Sequence, residues 1–372
     1  MFTPRSRHQL ARILLVAAVL FGAISTAAGK GRSAPPPLAE TPTPMQVFGV
    51  WHCGNHYCDW NETIDLVEFD RSNRWLLERA PDGTPAVNVV VLSFVNPLKM
   101  LNGLDGGLYQ MIPRGMTTEV VNYFKGAGIR VMLSIGGITY TADWDAALAQ
   151  NPTQLGYNAA LIAKSLGVGI EIDYENSSSP NIAALGEFID AYRLELPYDP
   201  TGENPAARLT IDVAAGDRWL IALNRHATQY WLDPANPVLD YANAMVSGTS
   251  SGTPTEWQEH VDGKPQYAPP VPPLAPARFT GGLYLKGNSA NCLNFAASEQ
   301  KAYADYVQRV MPNATAFPAG GFTPGMLGYM FWAAGTPSAR RSYVPTTDCA
   351  GGMGAAAETF RITVPMPPLR QR

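Results

Sequence analysis

Three acidic residues occupy alternate positions in one short apolar stretch of the sequence. Residues 167–176 read Gly-Val-Gly-Ile-Glu-Ile-Asp-Tyr-Glu-Asn, which places acids at Glu171, Asp173 and Glu175. Alternate side chains of a β-strand point to the same face, so these acids would share one face, with neighbours about 6.5–7 Å apart at Cα. The residues between them would form the opposite, apolar face.

Such a row of acids can hold a proton for catalysis. Carboxyl groups this close together, when partly buried, cannot all ionise without cost, because like charges and lost hydration both raise a carboxyl pKa. At least one acid is therefore expected to keep its proton near neutral pH, which is what a general acid requires. Glu175 ends the row. It would lie nearest the open end of the strand and is the predicted proton donor.

The same pattern also fits an exposed edge strand whose acids simply face water. Two features favour the catalytic interpretation. The acidic strand is fourth among eight strand candidates, and a closed barrel leaves no exposed edge there. The third candidate ends in Ser134-Ile135-Gly136-Gly137, where two glycines allow the backbone to turn tightly beside the acids.

Short apolar runs alternate with helical segments along most of the chain. The strand candidates are residues 46–51, 88–94, 130–135, 167–174, 209–214, 241–246, 282–286 and 326–332. Continuous apolar runs are typical of parallel strands covered by helices, and eight such units predict an α/β fold of the (β/α)8 TIM barrel type. A doubly wound sheet is the alternative, although it normally has fewer strands. Residues 247–277, rich in Pro, Ser and Gly, are predicted to form a long loop rather than a helix.

The amino-terminal residues read as an export signal. Residues 1–28 combine arginines, an apolar run over 13–24 and small residues suited to cleavage. An uncleaved anchor is the alternative, although the run is shorter than the roughly 20 residues that span a bilayer. Residues 29–44 are a Pro-rich linker, and residues 45–372 are the predicted barrel domain. We expect a secreted, periplasmic or extracellular protein with no membrane span in the mature chain.

The four cysteines fit an exported protein. We predict disulfides Cys53–Cys58 and Cys292–Cys349, although sequence alone permits three pairings. Zinc binding around Cys53 and Cys58, with the histidines beside them, is the alternative. That spacing matches no common zinc pattern, so no metal is expected.

The charge balance excludes some classes of partner. The 372 residues carry 27 Lys and Arg against 31 Asp and Glu, a net charge of −4, and contain no basic run. Neither nucleic acid nor an anionic membrane is therefore an expected partner. The length suits a single barrel domain, and we expect a monomer.

The glycine turn and the acid row together resemble glycoside hydrolase family 18, the family of chitinases and endo-β-N-acetylglucosaminidases. The likeness rests on Ser134-x-Gly136-Gly137 followed by Gly169-x-Glu171-x-Asp173-x-Glu175, where the family has D-G-x-D-x-D-x-E. Weaker likenesses are Phe94, Met245 and Met330-Phe331-Trp332 on strands two, six and eight.

The resemblance implies retaining hydrolysis assisted by the substrate. Glu175 would protonate the glycosidic oxygen, Asp173 would orient the substrate's N-acetyl group for attack, and Glu171 would hold and polarise Asp173. Trp332 would form an apolar floor under the sugar, although an ordinary core aromatic is the alternative for this residue. The other implied residues are Phe94, Met245 and Tyr284 for substrate binding, and Ser134, Gly136 and Gly137 for support of the acids.

Three positions depart from the family pattern. Val168 replaces the first Asp, and Glu171 replaces an Asp with a side chain one methylene longer. Ser247 stands where the family has a tyrosine that donates to the N-acetyl oxygen. Tyr284, Tyr140 or a loop residue would have to supply that hydrogen bond.

Two functions from different classes follow. The first is a secreted, chitinase-like glycosidase acting on β-1,4-linked N-acetylglucosamine polymers, or, as a close variant, on the chitobiose core of glycans. The second is a carbohydrate-binding protein with little or no turnover. Glu175 favours the enzyme and Ser247 favours the binding protein. Neither function calls for a cofactor, because carboxyls and the substrate's own amide supply the chemistry.

Overall fold

Eight parallel strands form a closed barrel. The structure is a computed structural model that describes residues 47–54, 58, 60–77, 85, 87–103, 107, 110–214, 219–245, 253–284 and 327–335. Each strand pairs with the next, and the eighth pairs with the first, so the (β/α)8 prediction is confirmed and the doubly wound alternative is excluded. The predicted signal, residues 1–28, and the predicted linker, residues 29–44, lie outside the described residues. Within the described ranges, none of the helices has the length and apolarity needed to cross a bilayer.

All eight predicted strands are present, with bounds that differ by a few residues. They are β1 (Val47–Cys53), β2 (Val89–Val95), β3 (Arg130–Gly136), β4 (Gly169–Asp173), β5 (Leu209–Val213), β6 (Ala242–Ala244), β7 (Phe279–Tyr284) and β8 (Gly328–Gly335). The prediction of 167–174 for the fourth strand was too long at both ends. Gly167 instead ends the preceding helix in the left-handed conformation, with φ +62°, and Glu175 lies two residues beyond the strand.

Helices follow most of the strands. They are α1 (Leu66–Leu77), α2 (Pro97–Asn102), α3 (Thr118–Lys125), α4 (Thr141–Gln150), α5 (Pro152–Leu166), α6 (Ile182–Glu195), α7 (Ile221–His226) and α8 (Thr253–Asp262). Shorter pieces are the 3-10 turns Ile138–Tyr140, Pro205–Ala207 and Pro276–Arg278, and a π-helical turn at Ala227–Trp231.

The prediction that residues 247–277 form a loop without a helix is wrong for α8. Trp257 and Val261, four residues apart on this helix, are both buried. The ring Nε2 of His260 donates a hydrogen bond at 2.7 Å to the Ala214 carbonyl, and the ring packs against Phe279. Tertiary packing therefore fixes a helix that the surrounding Pro, Ser and Gly residues conceal in the sequence. Beyond α8 the segment is irregular, with a single antiparallel bridge between Lys264 and Val271.

Apolar side chains form two layers, one outside and one inside the strands. The outer layer lies between strands and helices and includes Ile170 and Ile172 of β4, both fully buried. Burial of an isoleucine of this kind stabilises the fold by about 1.5–3 kcal/mol. The inner layer comprises Val47, Trp51, Val89, Val91, Met132, Tyr241, Leu327 and Met330, packed beside Trp332.

Helices α5 and α6 support the outer face of the acidic strand. Asn151 begins α5 by accepting a hydrogen bond from the Gln154 amide at 3.0 Å, which satisfies a free helix-end donor. Gly156 allows the two helices to approach closely, since a Cβ there would lie 2.2 Å from the Phe188 carbonyl oxygen. The position of β4 is thus fixed from behind by tightly packed helices.

Candidate active site

The first two acids of the row face the barrel interior. Glu171 is 0% exposed and Asp173 is 3% exposed. Their alternation along β4 directs both inward, because the isoleucines between them belong to the outer layer. Glu175 follows the strand end and is half-buried. The structure therefore places one acid of the row at the boundary between interior and solvent.

Glu171 is held by two donors from distant strands. The indole Nε1 of Trp51 donates to Oε1 at 2.8 Å, and Nδ2 of Asn243 donates to Oε2 at 2.6 Å. The Thr280 hydroxyl donates to the other end of the Asn243 amide at 2.5 Å, which orients its nitrogen toward Glu171. Burial raises the pKa of Glu171, and these donors oppose that rise because they favour the ionised form.

Asp173 is the acid whose environment most opposes ionisation. Burial raises its pKa well above the usual value, and the charges of Glu175 and Glu171 raise it further. Its Oδ1 is buried and has no hydrogen-bond partner among the described residues. The surroundings of Asp173 therefore favour its protonated form over its ionised form.

Sequence reasoning missed a further buried acid, Asp212 on β5. It is 2% exposed, and burial, followed by the charges of Glu171 and Asp173, raises its pKa well above the usual value. The alternation of Thr210 and Asp212 in Leu209–Val213 is a signal that could have found it, because both polar side chains share the inward face.

The glycine turn after β3 fixes the backbone of Asp173. The Asp173 carbonyl accepts hydrogen bonds from the Gly137 amide at 3.0 Å and from Trp144 Nε1 at 3.2 Å. Gly136 has φ +122°, and a Cβ there would lie 1.9 Å from the Asp173 oxygen. Ser134 pairs in register with Glu171 and lowers its pKa, although the buried Ser134 hydroxyl forms no hydrogen bond of good geometry within the described residues.

The residues on either side of Glu175 share one anchor. The Tyr174 hydroxyl donates to Asp145 on α4, and Nδ2 of Asn176 donates to both Asp145 oxygens at 3.0 Å. Burial and Asp145 raise the pKa of Tyr174 to about 12, so the phenol remains a donor at neutral pH. This anchoring limits the positions that Glu175 can take. Asp145 carries no signal in the sequence, because it is one of two aspartates on an otherwise ordinary helix.

Aromatic rings form a surface beside the acids. Trp332 and Phe94 stack with centroids 5.6 Å apart and an interplanar angle of 24°, and Trp332 also contacts Trp51 at 6.4 Å. Trp332 and Phe94 are both half-buried. The structure thus brings these two predicted binding residues together, and one of them contacts Trp51, which holds Glu171.

The other predicted site residues are described to different extents. Met245 packs against the outer apolar layer. Tyr284 pairs with Trp332 through its backbone in β7, and its side chain is outside the description. Tyr140 ends the 3-10 turn after the glycines and is half-buried. Ser247 lies outside the described residues.

The predicted Cys53–Cys58 disulfide is confirmed. Because both sulfurs are bonded to each other, the alternative zinc site cannot use them as thiolate ligands. His52 is buried in the outer layer, where its Nε2 lies 2.6 Å from Asn73 Oδ1. Within the described ranges, no group of three or more His, Cys, Asp or Glu side chains is arranged to hold a metal ion. The predicted Cys292–Cys349 bridge lies outside the described residues.

Together these groups can supply and orient protons for a neutral ligand. Buried carboxyls with raised pKa values precede a half-buried carboxyl in the same row, and stacked rings offer an apolar surface beside them. Such a site can protonate a leaving oxygen and stabilise positive charge that develops next to the acids.

Comparison with solved structures shows a family 18 chitinase-like fold. A chitinase of this family from Pseudoalteromonas aurantia is 14% identical, with a TM-score of 0.51 over 84% of this chain and 99% of that chain. The chitinase ChiC from Aspergillus fumigatus is 13% identical, with a TM-score of 0.46 over 80% and 92% of the two chains. A family 18 chitinase from Cycas revoluta, solved as an allosamidin complex, is 13% identical, with a TM-score of 0.40 over 84% and 98%. No family model and no curated protein matches the sequence.

Proposed function

We propose that the protein is an exported glycoside hydrolase that cleaves β-1,4-linked N-acetylglucosamine in polymers or glycans, with the substrate's N-acetyl oxygen as the nucleophile. The observation that carries this proposal is the gradient of burial along the acid row. Glu171 and Asp173 are buried, whereas Glu175 is half-buried and raises the pKa of Asp173 through its charge. The chitinase-like fold supports the same chemistry.

In this mechanism each acid has a separate task. Glu175 protonates the glycosidic oxygen, since it is the member of the row that a ligand can reach. Asp173 contacts the N-acetyl nitrogen and aligns its carbonyl oxygen with the anomeric carbon. Glu171, fixed by Trp51 and Asn243, keeps a negative charge beside Asp173 and stabilises the positive charge that develops on the amide. Water then opens the cyclic intermediate, so the anomeric configuration is retained.

The stacked rings support binding of a sugar. A pyranose face packs well on an aromatic ring, and Trp332 is held in place by Phe94 and Trp51. We assign Trp332 as the floor under the sugar that carries the reacting N-acetyl group. Tyr284, which is paired in register with Trp332, remains a candidate donor to the N-acetyl oxygen.

Export is part of the proposal. The arginine-led apolar segment within residues 1–28 predicts it, and the Cys53–Cys58 disulfide is typical of proteins that mature in oxidising compartments.

A turnover assay with a matched pair of variants tests the function. The protein is incubated with a chromogenic chitobioside, a chromogenic chitotrioside and a high-mannose glycopeptide. We expect release from at least one substrate, and a fall of about 10²- to 10⁴-fold for Glu175→Gln, because the amide cannot donate a carboxyl proton. Glu187→Gln, on the exposed face of α6, should retain the wild-type rate. Undiminished release by Glu175→Gln would remove Glu175 from the mechanism.

A carbohydrate-binding protein without turnover is the second candidate. Ser247, where a tyrosine is expected, is the observation that favours it. Calorimetry with chitotriose separates the two functions. Tight binding together with no release from any of the three substrates would establish the binding function and exclude the enzyme.

A further inference from the structure

Asp212 lies against the acid row but belongs to a different strand. On β5, Thr210 pairs in register with Glu171, and Asp212 pairs with Asn243 on β6. Asp212 therefore sits between the strand that carries Glu171 and the amide that binds Glu171. Its carboxyl lies within hydrogen-bonding reach of Glu171 and is 2% exposed.

Two buried carboxyls in contact must share a proton. Ionising both would place like charges side by side away from water, so one proton stays with the pair. Glu171 already accepts one hydrogen bond on each oxygen, from Trp51 and Asn243, and neither donor can take up a proton. These bonds favour the ionised form of Glu171. The shared proton therefore resides on Asp212.

We propose that Asp212 is a positioning residue of this site. It carries a proton and donates a hydrogen bond to Glu171, after Trp51 and Asn243 the third donor to that carboxylate. The three donors together keep Glu171 fixed and charged beside Asp173. The catalytic part of this proposal rests on the proposed glycosidase function. The protonation of Asp212 is a separate claim that can be tested without substrate.

The surroundings of Asp212 agree with this assignment. The titratable groups that face it are Glu171, Asp173 and Glu175, all acidic, and from β6 it faces the uncharged Asn243. Its Oδ1 has no hydrogen-bond partner in the part of the chain that the structure describes. Burial and these three charges raise its pKa well above the usual value, and the contact with Glu171 lowers the pKa of Glu171. The raised pKa of Asp212 and the lowering effect of Asp212 on the pKa of Glu171 both fit a neutral Asp212 that donates to an ionised Glu171.

Two substitutions separate the hydrogen bond from the titration. Asp212→Asn keeps a donor to Glu171 but cannot ionise, whereas Asp212→Ala removes the donor. We expect Asp212→Asn to hydrolyse a chitotrioside within about tenfold of the wild type, with the alkaline limb of its pH profile extended. The rate of hydrolysis by Asp212→Ala should fall by about 10- to 100-fold, the effect of losing one hydrogen bond to a charged group. The alkaline limb of its pH profile should move as well. Wild-type pH profiles in both variants would overturn the proposal.

The pH dependence of unfolding tests the proton without any turnover. An acid whose folded pKa is raised binds a proton in the folded state that the unfolded state releases above about pH 4. Stability then falls as pH rises, by about tenfold in the folding equilibrium constant per pH unit for each such proton. We expect Asp212→Asn to remove about one proton from this slope above about pH 4, over the range in which the folded wild type keeps that proton, whereas Asp190→Asn, on the exposed face of α6, should leave the slope unchanged.

The two readouts can fail separately. A flattened stability slope in Asp212→Asn combined with no hydrolysis by the wild-type protein would support the proton on Asp212 and count against the glycosidase function. Hydrolysis by the wild type combined with an unchanged slope would leave the function standing and overturn the role of Asp212.

Discussion

At the scale of single residues, the candidate site depends on how charge is divided among buried acids. Glu171 has two fixed donors, whereas Oδ1 of Asp173 and Oδ1 of Asp212 have no partner among the described residues. Donors lower a carboxyl pKa, and burial near like charges raises it. One buried acid is therefore prepared to stay charged and its neighbours to stay neutral, although all three have the same functional group.

A buried histidine on the outer face of β1 gives a prediction on stability. Burial lowers the pKa of His52 from 6.5 to about 4, so the unfolded chain binds its proton first as the pH falls. Stability is then lost between pH 6.5 and 4, by about 3 kcal/mol once the loss is complete. We expect His52→Gln to lack this loss when the free energy of unfolding is measured by urea at several pH values.

Glu171, Asp173 and Asp212, whose pKa values are raised, change stability in the opposite direction. Their contribution to the free energy of unfolding falls as the pH rises above about 4. Comparing the variant with the wild type at each pH cancels their effect. His226→Gln is the control, because His226 is only partly buried and its pKa is lowered less by desolvation than that of a fully buried ring. Parallel wild-type and His52→Gln curves would show that His52 is not the buried, neutral group described.

At the scale of elements, the turn after β3 and the end of β4 act as one unit. The Gly137 amide, directly after β3, and the Trp144 indole on α4 both donate to the Asp173 carbonyl, so the turn and the helix that follow β3 fix the backbone at the end of β4. Gly136 makes this approach possible, because it is the residue whose Cβ would overlap the Asp173 oxygen.

Replacing Gly136 by alanine should therefore damage both fold and site. We expect Gly136→Ala to lose about 2–4 kcal/mol of stability through backbone strain and displacement of β4, and to lose hydrolysis with it. Gly186→Ala in α6 is the matched control. A Cβ there meets no atom within 4 Å, so a gain of about 0.5–1 kcal/mol is expected from helix propensity. Equal urea midpoints and rates for Gly136→Ala and wild type would contradict this account of the turn.

Elements were predictable from sequence wherever burial leaves a simple pattern. The eight strands could be predicted because most of them lie in nearly continuous apolar runs of sequence, as in Val89–Val95. Helix α8 was missed because its buried side chains, which include Trp257, His260 and Val261, form a short pattern surrounded by residues typical of loops. The end of β4 was misplaced because alternation continues through Tyr174 and Glu175 after strand pairing has stopped.

At the scale of the whole molecule, closure of the barrel assembles the site. Glu171 bonds Trp51 at a separation of 120 residues and Asn243 at a separation of 72. These partners come from β1, three strands from β4, and from β6, two strands from β4, and their side chains converge on Glu171 because the sheet curls into a barrel. Local sequence could identify the acid row on its single strand. It could not identify the two donors, because their proximity to Glu171 is a property of the folded barrel. The alternation of Thr210 and Asp212 marks Asp212 as an inward-facing acid, but local sequence does not place it against Glu171.

The central claim is that the N-acetyl group of the substrate, and not water, attacks the anomeric carbon. Proton NMR of products formed from chitohexaose in the first minutes, before mutarotation, tests it most directly. The account predicts that the β-anomer appears first, because two successive inversions retain the configuration. Initial formation of the α-anomer would mean direct displacement by water and would contradict the roles given to Asp173 and Glu175.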